Sequence, residues 1–220
     1  MPNKIDTIIF DLDGTLLDTL TDLSNSVNYA MTRYGFPTHS QDKVRQMVGN
    51  GVRVLMEQAV PGGQEYPEFE SCLETFRQHY ELHKKDFTKP FPGVMDFLQR
   101  ASAKGYKMAV VSNKFDLAVK ELCQDFFHPY ITTAIGESAQ IARKPAPDTV
   151  FAAIQQLGSM RECCVYVGDS DVDIATAKNA GIPCISVSWG FRSREFLLAH
   201  GASVIADTIA DFEKIIHRKK

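Results

Sequence analysis

The sequence predicts an α/β protein with a Rossmann-like parallel sheet core and an inserted all-helical cap domain. From residue 94 onward, short apolar runs alternate with segments whose apolar residues recur at helical spacing. This alternation is typical of parallel strands joined by helices. A block of helical periodicity, residues 17–88, separates the first apolar run from the alternation. We therefore predict a core formed by residues 1–16 and 89–220, with residues 17–88 as the helical cap.

The first strand and the helix after it have clear boundary signals. Ile5–Phe10 is a short apolar run, as expected for a buried strand, and it ends at Asp11. The apolar residues of the next helix recur at steps of three and four, which places them on one face: Leu20, Leu23, Val27, Ala30 and Tyr34. Thr19 and Asp22 resemble a capping box at its start, and Gly35 ends it.

Residues 39–87 continue with helical periodicity and little that resembles a strand. Pro61–Gly63 predicts a break in this block, and the proline-rich Lys89–Gly93 suits a domain boundary. Helices and strands are then predicted in alternation. The helices are Val94–Ala103, Leu117–Leu122, Pro147–Leu157 and Ile174–Ala180, and the strands are Tyr106–Val111, Ile131–Ile135, Val165–Val167, Ile182–Val187 and Val204–Ile205.

Composition and charge argue against several classes of protein. Of the 220 residues, 44% are hydrophobic and 23% charged, an ordinary globular balance. The formal net charge of −3 gives no reason to expect nucleic acid or an anionic membrane as a partner, and the basic end, His217–Lys220, is expected to be a solvated tail. No apolar stretch is long enough to span a bilayer, and the first ten residues do not resemble a signal peptide. The five cysteines show no CxxC spacing, so a reducing cytoplasm is the expected compartment.

Carboxylates follow two of the predicted strands, at the edge where α/β sheets bind ligands. Asp11 and Asp13 come directly after the first strand, and residues two apart in an extended chain point the same way. Asp169 and Asp173 follow a later strand. These four are expected to converge, and oxygen ligands without histidine or thiolate suit a hard ion such as Mg²⁺. The competing interpretation is that each carboxylate is a helix cap or turn residue. It explains Asp171 about as well as a functional role does, but it explains Asp11 and Asp13 poorly.

Four motifs in order give the chain a specific resemblance. They are DLDGTL at Asp11–Leu16, the pair Ser112–Asn113, the pair Lys144–Pro145, and GDSDVD at Gly168–Asp173. A phosphate site beside several carboxylates needs a fixed cation, and a lysine can supply it. With these motifs the sequence resembles the haloacid dehalogenase-like (HAD) hydrolase superfamily over nearly its whole length, and most of all its phosphoglycolate phosphatase-like branch.

The resemblance implies a Mg²⁺-dependent phosphatase that forms a phosphoryl-aspartate intermediate. Asp11 would be the nucleophile, and Asp13 the general acid that protonates the leaving alkoxide and then activates water. The groups expected to hold the phosphoryl oxygens or to position Asp11 are Thr15, Ser112, Asn113 and Lys144. The metal would be held by the Asp11 carboxylate, the Asp13 backbone carbonyl and Asp169, with Asp173 acting through water or by orienting Lys144.

The resemblance assigns substrate choice to the cap, with a small phosphorylated metabolite as the expected partner. The loop Val48–Val52 resembles one common in phosphoglycolate phosphatases, although a plain turn between helices explains it nearly as well. Phosphoglycolate, the favoured substrate, carries a carboxylate that a cation or free backbone N–H groups should meet. Arg45 and Arg53 flank the loop and are the candidates, with solvated arginines as the alternative.

Several other functions would keep the same core residues. A pyrophosphatase, a sugar or nucleotide phosphatase and a β-phosphoglucomutase-like phosphotransferase all stay open. A catalytically inactive phospho-ligand-binding protein is the alternative outside enzymes.

His79 and His83 stand four apart on a helix, but without a third ligand they are interpreted as surface residues rather than a zinc site. The run Trp189–Arg192 either lines the pocket rim or simply packs.

Overall fold

The computed structural model describes residues 5–217 and confirms the predicted α/β fold. Within this range the chain divides into two compact units. The core unit contains the residues up to Leu17 and those from Pro90 onward, and the cap unit is Asp18–Lys89. The basic C-terminal run, apart from His217, lies outside the described residues. No helix in the described part is both long enough and apolar enough to cross a membrane.

The core unit is built on a parallel sheet whose central strand is the first in the chain. The strands are β1 (Thr7–Phe10), β2 (Leu17–Asp18), β3 (Lys89–Pro90), β4 (Lys107–Phe115), β5 (Thr133–Glu137), β6 (Cys164–Gly168), β7 (Cys184–Val187) and β8 (Ile205–Ala206). Six of them form one sheet in the order β5-β4-β1-β6-β7-β8. Phe10 pairs with Val110 on one side and with Val167 on the other. Every residue of β1 is buried, which explains its uninterrupted apolar sequence.

Helices make up the cap unit and flank the sheet of the core unit. The cap helices are α1 (Leu20–Arg33), α2 (Gln41–Met47), α3 (Gly51–Ala59) and α4 (Phe69–His83), and the core helices are α5 (Val94–Ala103), α6 (Asp116–Phe127), α7 (Asp148–Gln156), α8 (Asp171–Ala180), α9 (Arg194–Ala199) and α10 (Ile209–His217). Gly63–Glu65 and Arg161–Cys163 are short 3₁₀ turns. Alternate side chains of β1 enter two separate apolar clusters, with Phe10 in one and Ile9 in the other.

The structure corrects several boundaries that periodicity alone had set. The strand predicted to end at Val111 runs on to Phe115, with a register shift between these two residues. The strand predicted from Ile131 instead begins at Thr133. The sequence analysis did not predict helices α9 and α10. Tertiary packing stabilises α10, whose Phe212 joins the rings of Phe10 and Phe97 at centroid distances of 6.2 and 5.0 Å.

The predicted capping box at the start of α1 is wrong. Thr19 makes no side-chain capping hydrogen bond there. The buried Asp22 carboxylate instead accepts hydrogen bonds from the backbone N–H groups of Phe87 and Thr88 at 2.8–3.1 Å, and from the Thr88 hydroxyl at 2.8 Å. Asp22 therefore ties the first helix of the cap unit to the end of the same unit, 66 residues later in the chain.

Replacing Asp22 with alanine should destabilise the cap unit. The N–H groups of Phe87 and Thr88 would lose a charged acceptor, and hydrogen bonds to charged groups are worth about 1.5–3 kcal/mol each. We expect the free energy of unfolding to fall by about 3 kcal/mol in urea denaturation. The control is Asp42→Ala, which removes an exposed ion pair with Arg45 and should cost under about 1 kcal/mol. Equal losses in the two variants would contradict the assigned role of Asp22.

Candidate active site

Asp11 lies directly after β1, at the carboxyl edge of the sheet. Its side chain is buried, its backbone N–H donates to the Val167 carbonyl at 2.8 Å, and its Oδ1 accepts from Lys144 Nζ at 2.7 Å. Burial raises the pKa of Asp11 to about 7, because desolvation of the carboxylate outweighs the attraction of Lys144 and Asp173 adds repulsion. A charge at Asp11 is therefore costly unless a further cation accompanies it.

Lys144 is the cation at the centre of this group. Its ammonium donates to Asp11 at 2.7 Å, to Asp173 Oδ1 at 2.8 Å and to the Tyr166 hydroxyl at 3.0 Å. Burial opposes the lysine charge, but the attraction of Asp11 and Asp173 outweighs it and raises the pKa of Lys144. Lys144 therefore stays protonated at neutral pH and fixes the orientation of the Asp11 carboxylate.

Both carboxylate oxygens of Asp173 have donors from the protein itself. Oδ1 accepts from Lys144 and from the Tyr166 hydroxyl at 3.0 Å, while Oδ2 accepts from the Ser170 N–H at 3.1 Å and the Ser170 hydroxyl at 2.6 Å. The bond from the Ser170 N–H belongs to a capping box that begins α8, in which the Ser170 hydroxyl accepts in turn from the Asp173 N–H. Of the two roles expected for Asp173, these contacts favour the orienting of Lys144. Sequence reasoning missed Tyr166, which looked like an ordinary strand residue.

Asp169 is held from two sides by other parts of the core unit. Its Oδ1 accepts from the Thr15 hydroxyl at 3.2 Å, and its Oδ2 accepts from the Phe191 N–H at 2.6 Å. Burial raises the pKa of Asp169 well above its ordinary value, and the charges of Asp173 and Asp11 raise it further. These contacts fix the carboxylate on the same side of the sheet edge as Asp11.

The run Trp189–Arg192, which the sequence left open between pocket rim and packing, belongs to this site. The Trp189 indole N–H donates to the Thr15 carbonyl at 3.0 Å. A Cβ atom on Gly190 would lie 2.3 Å from the Gly14 carbonyl oxygen and 2.4 Å from Asp169 Cβ, so only glycine fits there. Gly14, at φ +87°, is confined in the same way by the Asp169 carboxylate. The loop after β7 therefore closes over the turn that follows Asp11.

Asp11, Asp169 and Asp173 together offer an oxygen-only group that fits a hard divalent cation. One carboxylate oxygen from each lies within 4.8 Å of the others, and all three residues are buried. Three carboxylates against the single ammonium of Lys144 leave a charge of minus two when all are ionised. A divalent cation would neutralise that charge, and oxygen ligands without histidine or thiolate are those that Mg²⁺ prefers.

Asp13 faces a second buried lysine. Lys114 Nζ lies 2.9 Å from Oδ1 and 2.8 Å from Oδ2 of Asp13, and the two side chains are only 4% and 13% exposed. Lys114 follows Ser112 and Asn113 in the sequence, but sequence reasoning assigned it no role. The one sequence feature that could have indicated a role for Lys114 is its position directly after the Ser112–Asn113 pair that follows a predicted strand.

Ser112 and Asn113 are both buried and contact the lysines or their backbone. The Ser112 hydroxyl accepts from the Lys114 N–H at 3.2 Å, and the Asn113 amide donates to the Lys144 carbonyl at 3.0 Å. These contacts hold Lys114 and the chain around Lys144 in place. The predicted phosphate-binding roles of Ser112, Asn113 and Thr15 stay predictions.

Comparison with known proteins agrees with this geometry. A family profile described as haloacid dehalogenase-like hydrolase matches residues 8–187. The chain belongs to this family. Phosphoglycolate phosphatase 1 of Pseudomonas aeruginosa is 31% identical over 210 residues, which cover 93% of this chain and 77% of that protein. The phosphoglycolate phosphatase of Aquifex aeolicus is 33% identical over 186 residues, covering 84% of this chain and 85% of that protein.

Solved structures extend the similarity to the whole fold. The crystal structure of a protein from Lactobacillus delbrueckii subsp. bulgaricus has a TM-score of 0.91 and 38% identity, covering 97% of this chain and 99% of that one. The predicted superfamily is confirmed. The predicted enzyme class, a phosphatase of the haloacid dehalogenase-like type, is confirmed as well.

In the cap unit of this haloacid dehalogenase-like hydrolase, both candidate arginines contact acidic side chains. Arg53 donates to both carboxylate oxygens of Glu70 at 2.8 Å, and Arg45 lies 3.3 Å from Asp42. The run Val48–Val52 covers the connection from α2 to α3 and the first two residues of α3, with Gly49 and Gly51 at positive φ. The loop therefore has the geometry of a turn between helices, and the contact of either arginine with substrate stays a prediction.

His79 and His83 lie on one face of α4 and contact other side chains of the cap. The ring of His79 stacks on Tyr29 at a centroid distance of 4.1 Å and on His83 at 4.3 Å. His79 Nδ1 lies 3.0 Å from the Ser26 hydroxyl, and His83 Nδ1 lies 2.8 Å from Asp86. Among the described residues, neither histidine belongs to a group of three converging metal ligands.

Proposed function

We propose that this hydrolase is a Mg²⁺-dependent phosphatase that acts on phosphoglycolate through a phosphoryl intermediate on Asp11. The observation that carries the proposal is the buried Asp11 carboxylate, held at 2.7 Å by Lys144 within an oxygen-only group of three buried carboxylates. The names of the relatives from P. aeruginosa and A. aeolicus support phosphoglycolate as the substrate. The proposed compartment is the cytoplasm, and the proposed partner is a small phosphorylated metabolite.

The first step is attack of Asp11 on phosphorus. Lys144 holds Asp11 Oδ1, so Oδ2 is the oxygen that attacks. A carboxylate and a phosphate dianion repel each other, and the Lys144 ammonium offsets part of that repulsion. Mg²⁺, held by the Asp11 and Asp169 carboxylates and the Asp13 backbone carbonyl, would offset the rest and polarise the phosphoryl oxygens. The covalent intermediate divides one difficult displacement into two easier ones.

The second requirement is proton transfer, which we assign to Asp13. An alkoxide leaves readily only if it receives a proton, and a carboxyl group two residues after the nucleophile is placed to donate it. In the second step the resulting carboxylate takes a proton from the water that attacks the phosphoryl-aspartate. General acid–base assistance of this kind contributes about 10²–10⁴-fold to the rate.

A panel of phosphate esters tests the proposal. We expect Mg²⁺-dependent release of phosphate, with a higher kcat/KM for phosphoglycolate than for pyrophosphate, hexose phosphates or nucleoside monophosphates. Formation of a sugar bisphosphate from a hexose phosphate would instead indicate a phosphotransferase. Absence of phosphate release from every ester would contradict the phosphatase mechanism, whereas a preference for another ester would contradict only the substrate.

The raised pKa of Asp11 predicts how Mg²⁺ binding depends on pH. Below about pH 7 the metal must displace a proton from this carboxyl group, so affinity should fall by up to about tenfold per pH unit. We expect saturating Mg²⁺ to raise the thermal unfolding midpoint, and half of that rise to need more Mg²⁺ at about pH 6 than at about pH 8. An equal requirement at both values would contradict the prediction.

In the metal-free protein the same raised pKa has the opposite consequence: raising the pH lowers the contribution of Asp11 to folding stability. Between the ordinary Asp pKa of 3.8 and about 7, the folded state holds a proton at Asp11 that the unfolded state has lost. The contribution of Asp11 to stability is therefore greatest at low pH and declines as pH rises towards about 7. In urea denaturation without metal, the free energy of unfolding should decline less over this pH range in Asp11→Asn, which cannot titrate at this position.

A further inference from the structure

Lys114 is a buried lysine that the proposed mechanism does not use. Its side chain is 4% exposed, and its ammonium lies 2.8–2.9 Å from the two carboxylate oxygens of Asp13. Burial of a charge requires a compensating partner, and Asp13 supplies one. Two buried lysines in the described part of the core unit therefore pair with carboxylates, Lys144 with the proposed nucleophile and Lys114 with the proposed general acid.

The position of Asp13 limits how far Lys114 can be from the substrate. A general acid works at about 2.6–3.2 Å from the oxygen that it protonates. Because Lys114 Nζ is within 2.9 Å of both Asp13 oxygens, it must lie within about 6 Å of the leaving oxygen. In phosphoglycolate a single CH₂ group separates that oxygen from the carboxylate. The ammonium is therefore close enough to reach the acidic end of the substrate.

We propose that Lys114 selects esters whose leaving group carries a carboxylate beside the ester oxygen, by pairing with that carboxylate. The inference rests on the proposed function and names a recognition residue for its substrate. An ammonium has three N–H donors and no acceptor, so it can serve a substrate carboxylate while it keeps a contact with Asp13. An uncharged alcohol in the same place would leave the lysine with the Asp13 carboxylate and without a substrate anion.

The surroundings of the two cap arginines differ from those of Lys114. Arg53 is about two-fifths exposed and makes a two-point contact with Glu70. Arg45 is similarly exposed and pairs with Asp42. Lys114 is buried in the same unit as Asp13 and is already oriented by it. A buried, oriented ammonium loses less side-chain entropy on binding an anion than an exposed arginine does.

The test compares phosphoglycolate with ethyl phosphate, which has a methyl group in place of the carboxylate. Steady-state kinetics of the full-length enzyme with Mg²⁺ give the ratio of the two kcat/KM values. We expect Lys114→Met to lower this ratio by about tenfold to a hundredfold, as expected for the loss of one charge-assisted hydrogen bond. Lys114→Arg should keep most of the ratio. Lys120→Met, which removes an exposed lysine that pairs with Asp116 on α6, should leave it unchanged.

Three other outcomes would contradict the inference. If Lys114→Met slows both esters equally, Lys114 only positions Asp13, and the selection of carboxylates is overturned. If the wild type prefers phosphoglycolate and the variant keeps that preference, the Lys114 inference fails while the proposed substrate stands. If the wild type hydrolyses both esters equally well, the selection of carboxylates and the assignment of phosphoglycolate as substrate both fail, while the Asp11 mechanism stands. Lys114→Gln provides the same comparison should the methionine variant not fold.

Discussion

Replacing Asp11 with asparagine should abolish turnover while the fold persists. The amide has the shape of the carboxylate but cannot attack phosphorus, and removal of a residue that takes part in covalent catalysis commonly costs about 10⁴-fold or more in kcat. Lys144 keeps a buried partner in Asp173 at 2.8 Å, so the ammonium is not left without a counter-ion. We therefore expect a protein that unfolds cooperatively near the wild-type midpoint and releases no measurable phosphate.

The decisive measurement for Asp11 is direct detection of the intermediate. Rapid quenching followed by mass spectrometry should show one phosphoryl group on the peptide that contains Asp11 in the wild type and none in Asp11→Asn. The matched control is Asp171→Asn, an equivalent change in the first turn of α8 outside the proposed catalytic group, which should retain activity. A phosphorylated Asp11→Asn protein would contradict the assignment of the nucleophile.

Replacing Asp13 with asparagine should slow phosphoglycolate hydrolysis by about 10²–10⁴-fold, because the leaving alkoxide loses its proton donor. An aryl ester such as p-nitrophenyl phosphate has a leaving group that departs without a proton. The variant should therefore still transfer the phosphoryl group of this ester to Asp11. Hydrolysis of the intermediate would then be slow, because no base activates the water.

Pre-steady-state kinetics separate these two steps for Asp13→Asn. We expect a burst of about one p-nitrophenol per active site, followed by slow turnover, as is typical of an accumulating covalent intermediate. Asp11→Asn should give no burst. If the first turnover of Asp13→Asn is slowed equally for the aryl ester and for phosphoglycolate, Asp13 does not act as the general acid.

Variants of the two cap arginines need a control for stability as well as for activity. Its arginines near the α2–α3 turn pair with cap carboxylates, so their substitution will alter the cap as well as any contact with substrate. A loss of activity in an Arg53 variant therefore needs comparison with Glu70→Gln, which breaks the same pair but leaves the cation. If both variants lose activity equally, the pair has a structural role.

The sequence by itself predicted the enzyme class and the fold class of this protein. Of the four carboxylates expected to converge, Asp11, Asp169 and Asp173 do so, because the carboxyl ends of parallel strands meet at one edge of the sheet, whereas Asp13 pairs with Lys114. The alternation of apolar runs with helical segments similarly predicted the sheet, since the period of the pattern follows from the backbone. Both inferences rest on local geometry, which the order of residues specifies directly.

Only the tertiary structure showed which distant groups meet. Lys114 reaches Asp13 across 101 residues, and the Phe191 N–H reaches Asp169 across 22. Tyr166 joins the catalytic group from within a strand whose pattern looked purely apolar. Asp22, expected to cap its own helix, instead binds backbone groups 66 residues away. No spacing rule predicts such contacts, because they depend on which strand edges and loops become neighbours when the sheet assembles.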